Sequence, residues 1–302
     1  MQRTQQAAPA AAGLILAFAA VYLIWGSTYL AIRIGVADLP PFLLAGWRFV
    51  IAALLMAGWA VARGERRWPD ARAWRRIGVT GVLMLVGGNG LVTYAETGVA
   101  SNQAALVVAS SALWMAWFGT FGVRGERLHA ITITGLLLGL GGVALLVGAG
   151  LRLQSAAWPD YAALLAAPVL WALGSVHGRR YPPGCGSTST AAGQMLVAGV
   201  VLLVIGGALG ESSRWRATPA AFGALAYLIV FGSCIAYGAY QWLVGHATPA
   251  QLGTYAYVNP AIAALLGWWW LGESLGRMQI LGTLLILGSV ALIGWGHRRP
   301  RD

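Results

Sequence analysis

Residues 125–145 read GERLHAITITGLLLGLGGVAL, and residues 272–292 read GESLGRMQILGTLLILGSVAL. At this shift of 147, 12 of the 21 aligned positions are identical. The abundance of Leu and Gly accounts for part of the agreement. It does not account for the Gly125-Glu126 and Gly272-Glu273 pairs, which stand outside the apolar runs. The same shift aligns Ala45-Gly46 with Ala192-Gly193 and Ala100 with Ala247, so the chain reads as a duplication.

Apolar runs surround these two stretches. A hydrocarbon core of about 30 Å needs about 20 helical residues to cross it. Runs of that length lie at 14–36, 41–62, 76–98, 102–123 and 129–149, and again at 158–178, 187–209, 218–244, 250–271 and 276–296. Their backbone polar groups must be satisfied within each span, which makes them helices. Strands of a membrane barrel would be half as long and alternate in polarity. Each copy holds five spans, an odd number, so the two copies cross the membrane in opposite senses. The expected fold is an all-α integral membrane protein of ten transmembrane helices, built as two inverted five-helix repeats over 14–149 and 158–296. In such architectures substrate binds near the midplane, where the copies meet.

Composition agrees. Of 302 residues, 58% are hydrophobic and 10% charged, less than half the charged fraction of a soluble domain. The net charge of +11 comes entirely from arginine on the basic side, with no lysine. Those arginines sit in short loops rather than along one stripe, which speaks against nucleic acid as a partner. Fourteen, among them Arg63, Arg66, Arg67, Arg72, Arg75, Arg76, Arg179 and Arg180, fall on the side of the N-terminus. Four, Arg152, Arg214, Arg216 and Arg277, fall on the other. The positive-inside rule then places both termini in the cytoplasm. Two cysteines make no disulfide framework, and the four histidines (129, 177, 246 and 297) are scattered, so neither a metal site nor a cofactor is expected. A P-loop and a G-x-S-x-G elbow are both missing, which leaves ATP-driven pumping and hydrolase chemistry without support.

Polar residues at bilayer depth belong against protein or a wet cavity. They recur in spans 1, 3 and 4 and again in spans 6, 8 and 9, while the middles of spans 2, 5, 7 and 10 are aliphatic or Gly, as in Val50-Ile51-Ala52-Ala53-Leu54. The first set is expected to enclose a central cavity and the second to pack outside it. Candidate substrate-binding residues are Trp25, Ser27, Thr28 and Tyr29 in span 1, Asn89, Thr93 and Tyr94 in span 3, and Ser110, Ser111 and Trp114 in span 4. Trp171 and Ser175 in span 6, Tyr237, Tyr240 and Gln241 in span 8, and Tyr257, Asn259 and Pro260 in span 9 complete the set. Such a lining, rich in hydroxyls and aromatic rings, suits small amphipathic or aromatic solutes.

Trp25-Gly26-Ser27-Thr28-Tyr29, Gly88-Asn89-Gly90 with Ala95-Glu96, Gly174-Ser175, Tyr255-Ala256-Tyr257-Val258-Asn259-Pro260 and the two Gly-Glu pairs together resemble the EamA family of the drug/metabolite transporter superfamily. The resemblance runs from about Leu14 to Gly296. It implies ten helices in two repeats, export of metabolites or drugs across a bacterial inner membrane, and a path lined by helices 1, 3, 4, 6, 8 and 9. The family usually carries a proline in the middle of span 4 as well as span 9. Here Ser111-Ala112-Leu113 stands in the first place and only Pro260 remains, so helix breaking is expected to differ between the halves. Pro260 frees the carbonyl of Ala256 and, beside Asn259, is expected to make a polar notch.

Charged groups within spans are few. Glu96 is the one carboxylate read inside a span, and with Arg48 and Arg33 it is a candidate for coupling or gating. The plainer readings are a solvated interfacial acid or one paired with Arg33 or Arg48, and an Arg48 that snorkels outward or serves a structural partner. Gly87-Gly88-Asn89-Gly90 and Gly135-x-x-x-Gly139 suit close helix packing, the second within the chain or between subunits. Trp268-Trp269-Trp270 reads as a lipid-boundary anchor. The expectation is a secondary transporter of small solutes that contacts membrane lipids and acts as a monomer or weak dimer. A flippase for a lipid or lipid-linked sugar on the same fold is the alternative. An intramembrane enzyme lacks the clustered acids it would need, and a scaffold has no use for a polar lining.

Overall fold

The computed structural model describes residues 11–65, 69–99, 101–122, 125, 127–148, 158–262 and 276–298. The described residues form helices joined by short turns and loops, without strands among them. Six helical segments are long and apolar enough to cross a membrane: Ala11–Val36, Pro41–Ala62, Ala71–Ala95, Trp158–Arg180, Ser187–Ala208 and Pro219–His246. Three shorter apolar helices, Val107–Gly119, Ala130–Leu145 and Ile280–Trp295, fall where further spans are expected. The Trp268-Trp269-Trp270 run and the Gly272-Glu273 pair lie outside the described residues.

In chain order the elements are α1 (Ala11–Val36), α2 (Pro41–Ala62) and α3 (Ala71–Gly81), which runs through a π-helical stretch (Val82–Gly90) into α4 (Leu91–Ala95). Next come α5 (Ser101–Ala109), α6 (Ser111–Gly119), α7 (Ala130–Gly148), α8 (Trp158–Arg180) and α9 (Ser187–Ala208). Then α10 (Pro219–Tyr227) passes through a second π-helical stretch (Leu228–Tyr237) into α11 (Gly238–His246). The last are α12 (Pro249–Gly253), a helix α13 described over 255–262, and α14 (Arg277–Arg298).

Helix starts follow local chemistry. Asp70 accepts from the Ala73 N–H (2.7 Å) and Thr218 from the Ala221 N–H (3.2 Å), while Thr248 and Gln251 form a capping box. Proline opens α2, α10 and α12, where its missing N–H has no helical partner to lose. The buried Glu211 carboxylate accepts from the Leu43 N–H (3.0 Å), placing a negative group on the positive end of α2.

Two seams carry the packing. In one, α2 lies against α9. A Cβ on Gly199 would stand 2.8 Å from the Val50 nitrogen, and one on Gly46 would stand 3.0 Å from the Leu203 nitrogen, so only Gly permits this approach. In the other, α7 lies against α14. A Cβ on Gly135 would meet the Ser289 carbonyl at 3.2 Å, and one on Gly142 the Gly282 carbonyl at 2.9 Å. Gly139 faces Tyr257 and Ser289 of the same chain, which makes the Gly135-x-x-x-Gly139 stripe an intrachain contact. Gly87 and Gly88 likewise seat Leu170 and Trp171 of α8.

Helix breaking departs from expectation. Spans 4 and 9 are both interrupted, at Ser110 and Thr254, and neither break is at a proline. The Ser110 hydroxyl donates to the Val107 carbonyl (2.7 Å) and the Thr254 hydroxyl to the Gln251 carbonyl (2.6 Å). Each back-bond to position i−3 occupies a carbonyl of the helical ladder and tightens the turn. The two broken helices meet where a Cβ on Gly253 would stand 2.6 Å from the Ala112 Cα. The asymmetry inferred from the proline count is thus corrected, because hydroxyl side chains interrupt both helices.

Candidate functional site

Side chains from both halves of the chain line a cavity of about 70 Å³. Trp25, Thr28, Tyr29 and Ile32 reach it from α1, spaced i, i+3, i+4 and i+7 on one helix face. Gly88 and Asn89 come from the first π stretch and Val92 from α4, while Val108 and Ser111 flank the break at Ser110. Ala167, Pro168 and Trp171 of α8 and Tyr255 and Asn259 of α13 close the other side. Arg48 of α2 also lines it. With its amide oriented to suit its neighbours, Asn259 donates to the carbonyls of Tyr255 (2.9 Å) and Tyr22 (3.3 Å).

Below the cavity lies an aromatic cluster. Trp25 packs against Trp171, Tyr240 and Tyr255 with ring centroids 5.4, 5.2 and 5.0 Å apart. Trp171 also touches Tyr237 and donates to the Tyr240 hydroxyl (3.3 Å), which bonds Ser175 (2.7 Å). Beyond these rings opens a vestibule of about 990 Å³, lined by Arg179, Arg180, Gln241 and His246 among others. Along α8, Trp171 faces the cavity and Val176 the vestibule; five residues separate them, about 7.5 Å of helix. One layer of aromatic rings therefore divides the two spaces. Arg180 donates to the Phe118 (2.7 Å) and Phe121 carbonyls, and Arg179 to those of Val244 (3.3 Å) and Ala247. Both cations thus sit on helix C-terminal carbonyls at the mouth of the vestibule.

Several expected lining residues lie elsewhere. Ser27 bonds the Tyr227 hydroxyl (2.6 Å), and Thr93 bonds the Asn89 carbonyl (2.9 Å). Tyr94 stacks on Phe42, Trp114 packs on Trp117 and Phe118, and Ser110 is spent on its helix break. Tyr237 donates to Gln194 Oε1 (2.6 Å), while Gln241 lines the vestibule instead. Tyr257 turns away entirely and donates to the Leu136 carbonyl (3.0 Å) on α7, and the buried Pro260 is outside the lining. The reason is helical geometry: Tyr255 and Asn259 are four apart and share a face, whereas Tyr257 is two from each and points the other way.

Two assignments are corrected at the level of helices. Span 2, expected outside, contributes Arg48 to the cavity, and span 8, expected inside, contributes only to the ring layer and vestibule. Arg33 donates to the Glu96 main-chain carbonyl (2.5 Å) rather than to its carboxylate. The Glu96 carboxylate is fully buried, with no hydrogen-bond partner for either oxygen among the described residues. Pro168 in the cavity lining and the two π-helical stretches are features that the sequence reading missed, while Tyr255, read as a polar residue of span 9, lines the cavity. A lone proline within an apolar run was the available signal for the first. The π stretches fall about 147 residues apart, so the duplication extends to this irregularity, which is a frequent mark of functional sites in helices.

The sequence model described as "EamA-like transporter family" matches twice, at residues 11–148 and 158–295. The chain belongs to the EamA-like transporter family. It is 38% identical over 279 residues to YedA, an uncharacterized inner membrane transporter of Escherichia coli K12, covering 92% of this chain and 89% of the relative. It is also 26% identical over 292 residues to the "Probable amino-acid metabolite efflux pump" of the same strain, covering 92% and 93%. A solved crystal structure superposes with a TM-score of 0.80 at 25% identity, covering 96% of this chain and all of the other. This EamA-family protein is a multi-pass inner-membrane transporter and not an enzyme.

Proposed function

We propose that this EamA-family protein exports small amphipathic metabolites or drugs, amino-acid-like or aromatic, across the bacterial inner membrane by alternating access around the central cavity. In this reading ten transmembrane helices form two inverted repeats, 14–149 and 158–296, with both termini in the cytoplasm. One chain contains the whole path, which suits a monomer or weak dimer. The double family match and the 14-to-4 arginine imbalance support the arrangement. The relative named for amino-acid metabolite efflux supports the substrate class.

The observation that carries the reading is the shared cavity. Both family-matched halves line it, and a cluster of aromatic rings stands between it and a wide vestibule. By the arginine rule that vestibule faces the cytoplasm. At about 70 Å³ the cavity is below the range of about 300–1,000 Å³ usual for ligand sites. Rocking of the halves, with the rings parting, enlarges it and opens it to one side at a time. Glu96, buried near the far end of α4, is the group suited to couple this motion to protons.

The test is uptake of labelled phenylalanine, as an amphipathic probe, into liposomes holding the purified protein. Transport above empty vesicles is expected, with a reduced rate in Asn259→Ala protein of unchanged thermal unfolding. Glu96→Gln is expected to flatten the pH profile of the rate. Transport unaffected by Asn259→Ala and by Thr28→Val overturns the cavity as the path.

A further inference from the structure

Arg48 is an unneutralised charge in the wall of this cavity. Its residue is 3% exposed, yet no described carboxylate pairs with it; the described ion pair elsewhere joins Arg214 to Glu211 at 3.9 Å. Its partners are neutral: Nε donates to the Ser233 hydroxyl (2.8 Å) and Nη1 to Asn89 Oδ1 (3.4 Å), while the guanidinium carbon stands 5.0 Å from the Phe49 ring centroid. A guanidinium has five N–H donors. The Nη2 pair and the second Nη1 hydrogen have no acceptor among the described residues. Nη1 and Nη2 present a fork of parallel N–H groups, the geometry that grips a carboxylate with two bonds. Neutral dipoles hold the group in place but leave its charge uncompensated, and burying such a charge is costly unless something of opposite sign arrives.

The geometry points to a carboxylate head group on the transported solute, held by Arg48 while Trp25, Trp171 and Tyr255 take its apolar or aromatic body. This rests on the transport reading above and narrows it to monoanionic or amino-acid-like solutes. Ser233 and Asn89 act as positioning residues that aim the fork. Gly232 leaves room for it, since a Cβ there would stand 3.0 Å from Nη2. Snorkelling to the membrane surface is not the role of this side chain, because its two bonds tie it to the π-helical stretches of spans 3 and 8.

The test is binding of a matched series to the full-length purified protein, followed by quenching of intrinsic tryptophan fluorescence: 3-phenylpropanoate, 3-phenylpropanamide and 3-phenylpropylamine. The acid is expected to bind about tenfold or more tighter than the amide, the amine most weakly. Arg48→Gln is expected to erase the preference for acid over amide, Arg48→Lys to retain part of it, and Gly232→Ala to weaken acid binding in a protein with its arginine intact. Equal binding of acid and amide by the unsubstituted protein, or a preference that survives Arg48→Gln, overturns the assignment while leaving the cavity as a solute site. Failure of all three probes to bind overturns both.

Discussion

Arg48 on α2 and Gln194 on α9 occupy the second helix of their respective family-matched halves, and those helices pack against each other. Both reach the same π-helical stretch of span 8, Arg48 through Ser233 and Gln194 through Tyr237. One is a cation with spare donors in a cavity wall; the other is an amide sealed by a phenol and 2% exposed. The second helices of two similar halves therefore carry different chemistry. Packing needs only two helices that approach closely, which both halves supply. Recognition needs a single charge, and only the first half supplies it here.

Moving that charge is the severest way to break the comparison. Gln194→Arg would bury a second guanidinium where Tyr237 offers one hydroxyl. The expected cost is about 3 kcal/mol, the scale for an arginine at the centre of a membrane helix. It would be measured as loss of thermal stability in detergent. Unchanged stability would mean that either half tolerates the charge and that Arg48 has no privileged setting.

How much of the site is legible in the sequence follows from what each residue reports. Depth is legible: Trp25, Thr28, Tyr29, Asn89, Ser111, Trp171 and Asn259 all belong to the lining, and apolar runs set the helices that carry them. Face is only half legible. Tyr257 shares the depth of the lining residues but sits two positions from Tyr255 and Asn259, on the wrong side of a 3.6-residue turn, and Ser27, though next to Thr28, turns to the Tyr227 hydroxyl. Arg48 is misjudged by its helix, whose aliphatic middle belongs to a packing helix, yet one long side chain crosses from that helix into the cavity. The π stretches are hidden because Gly87-Gly88-Asn89-Gly90 reads equally well as close packing, and in fact does both jobs.

The seam between α2 and α9 gives the next effect. Gly199→Ala places a Cβ 2.8 Å from the Val50 nitrogen, and backbone cannot turn aside as a side chain can. Overpacking of this kind costs about 1–3 kcal/mol, and α2 shifted from α9 would also carry the Arg48 fork off its aim. At Gly58, further along α2, a Cβ would meet nothing within 4 Å. Gly58→Ala is the control and is expected to leave stability unchanged or to raise it by up to about 1 kcal/mol, the helix-propensity gain of Ala over Gly. Equal losses in the two variants would show that the seam does not set the outcome.

The smallest effect sharpens the comparison most. Tyr237→Phe deletes the donor to Gln194 Oε1 and leaves a buried amide oxygen unsatisfied, at a cost of about 1 kcal/mol. Gln194→Leu alone strands the Tyr237 hydroxyl instead. In the double variant neither group remains to be satisfied, so the combined loss is expected to fall short of the sum of the single losses, a coupling that only contacting residues show. Throughout this cycle the preference for 3-phenylpropanoate over its amide is expected to stay constant, because the Gln194–Tyr237 pair maintains the fold and the charge that selects the solute stands in the other half. A preference that moved with Tyr237→Phe would tie selection of the head group to the Gln194–Tyr237 pair and dissolve the division of labour between Arg48 and Gln194.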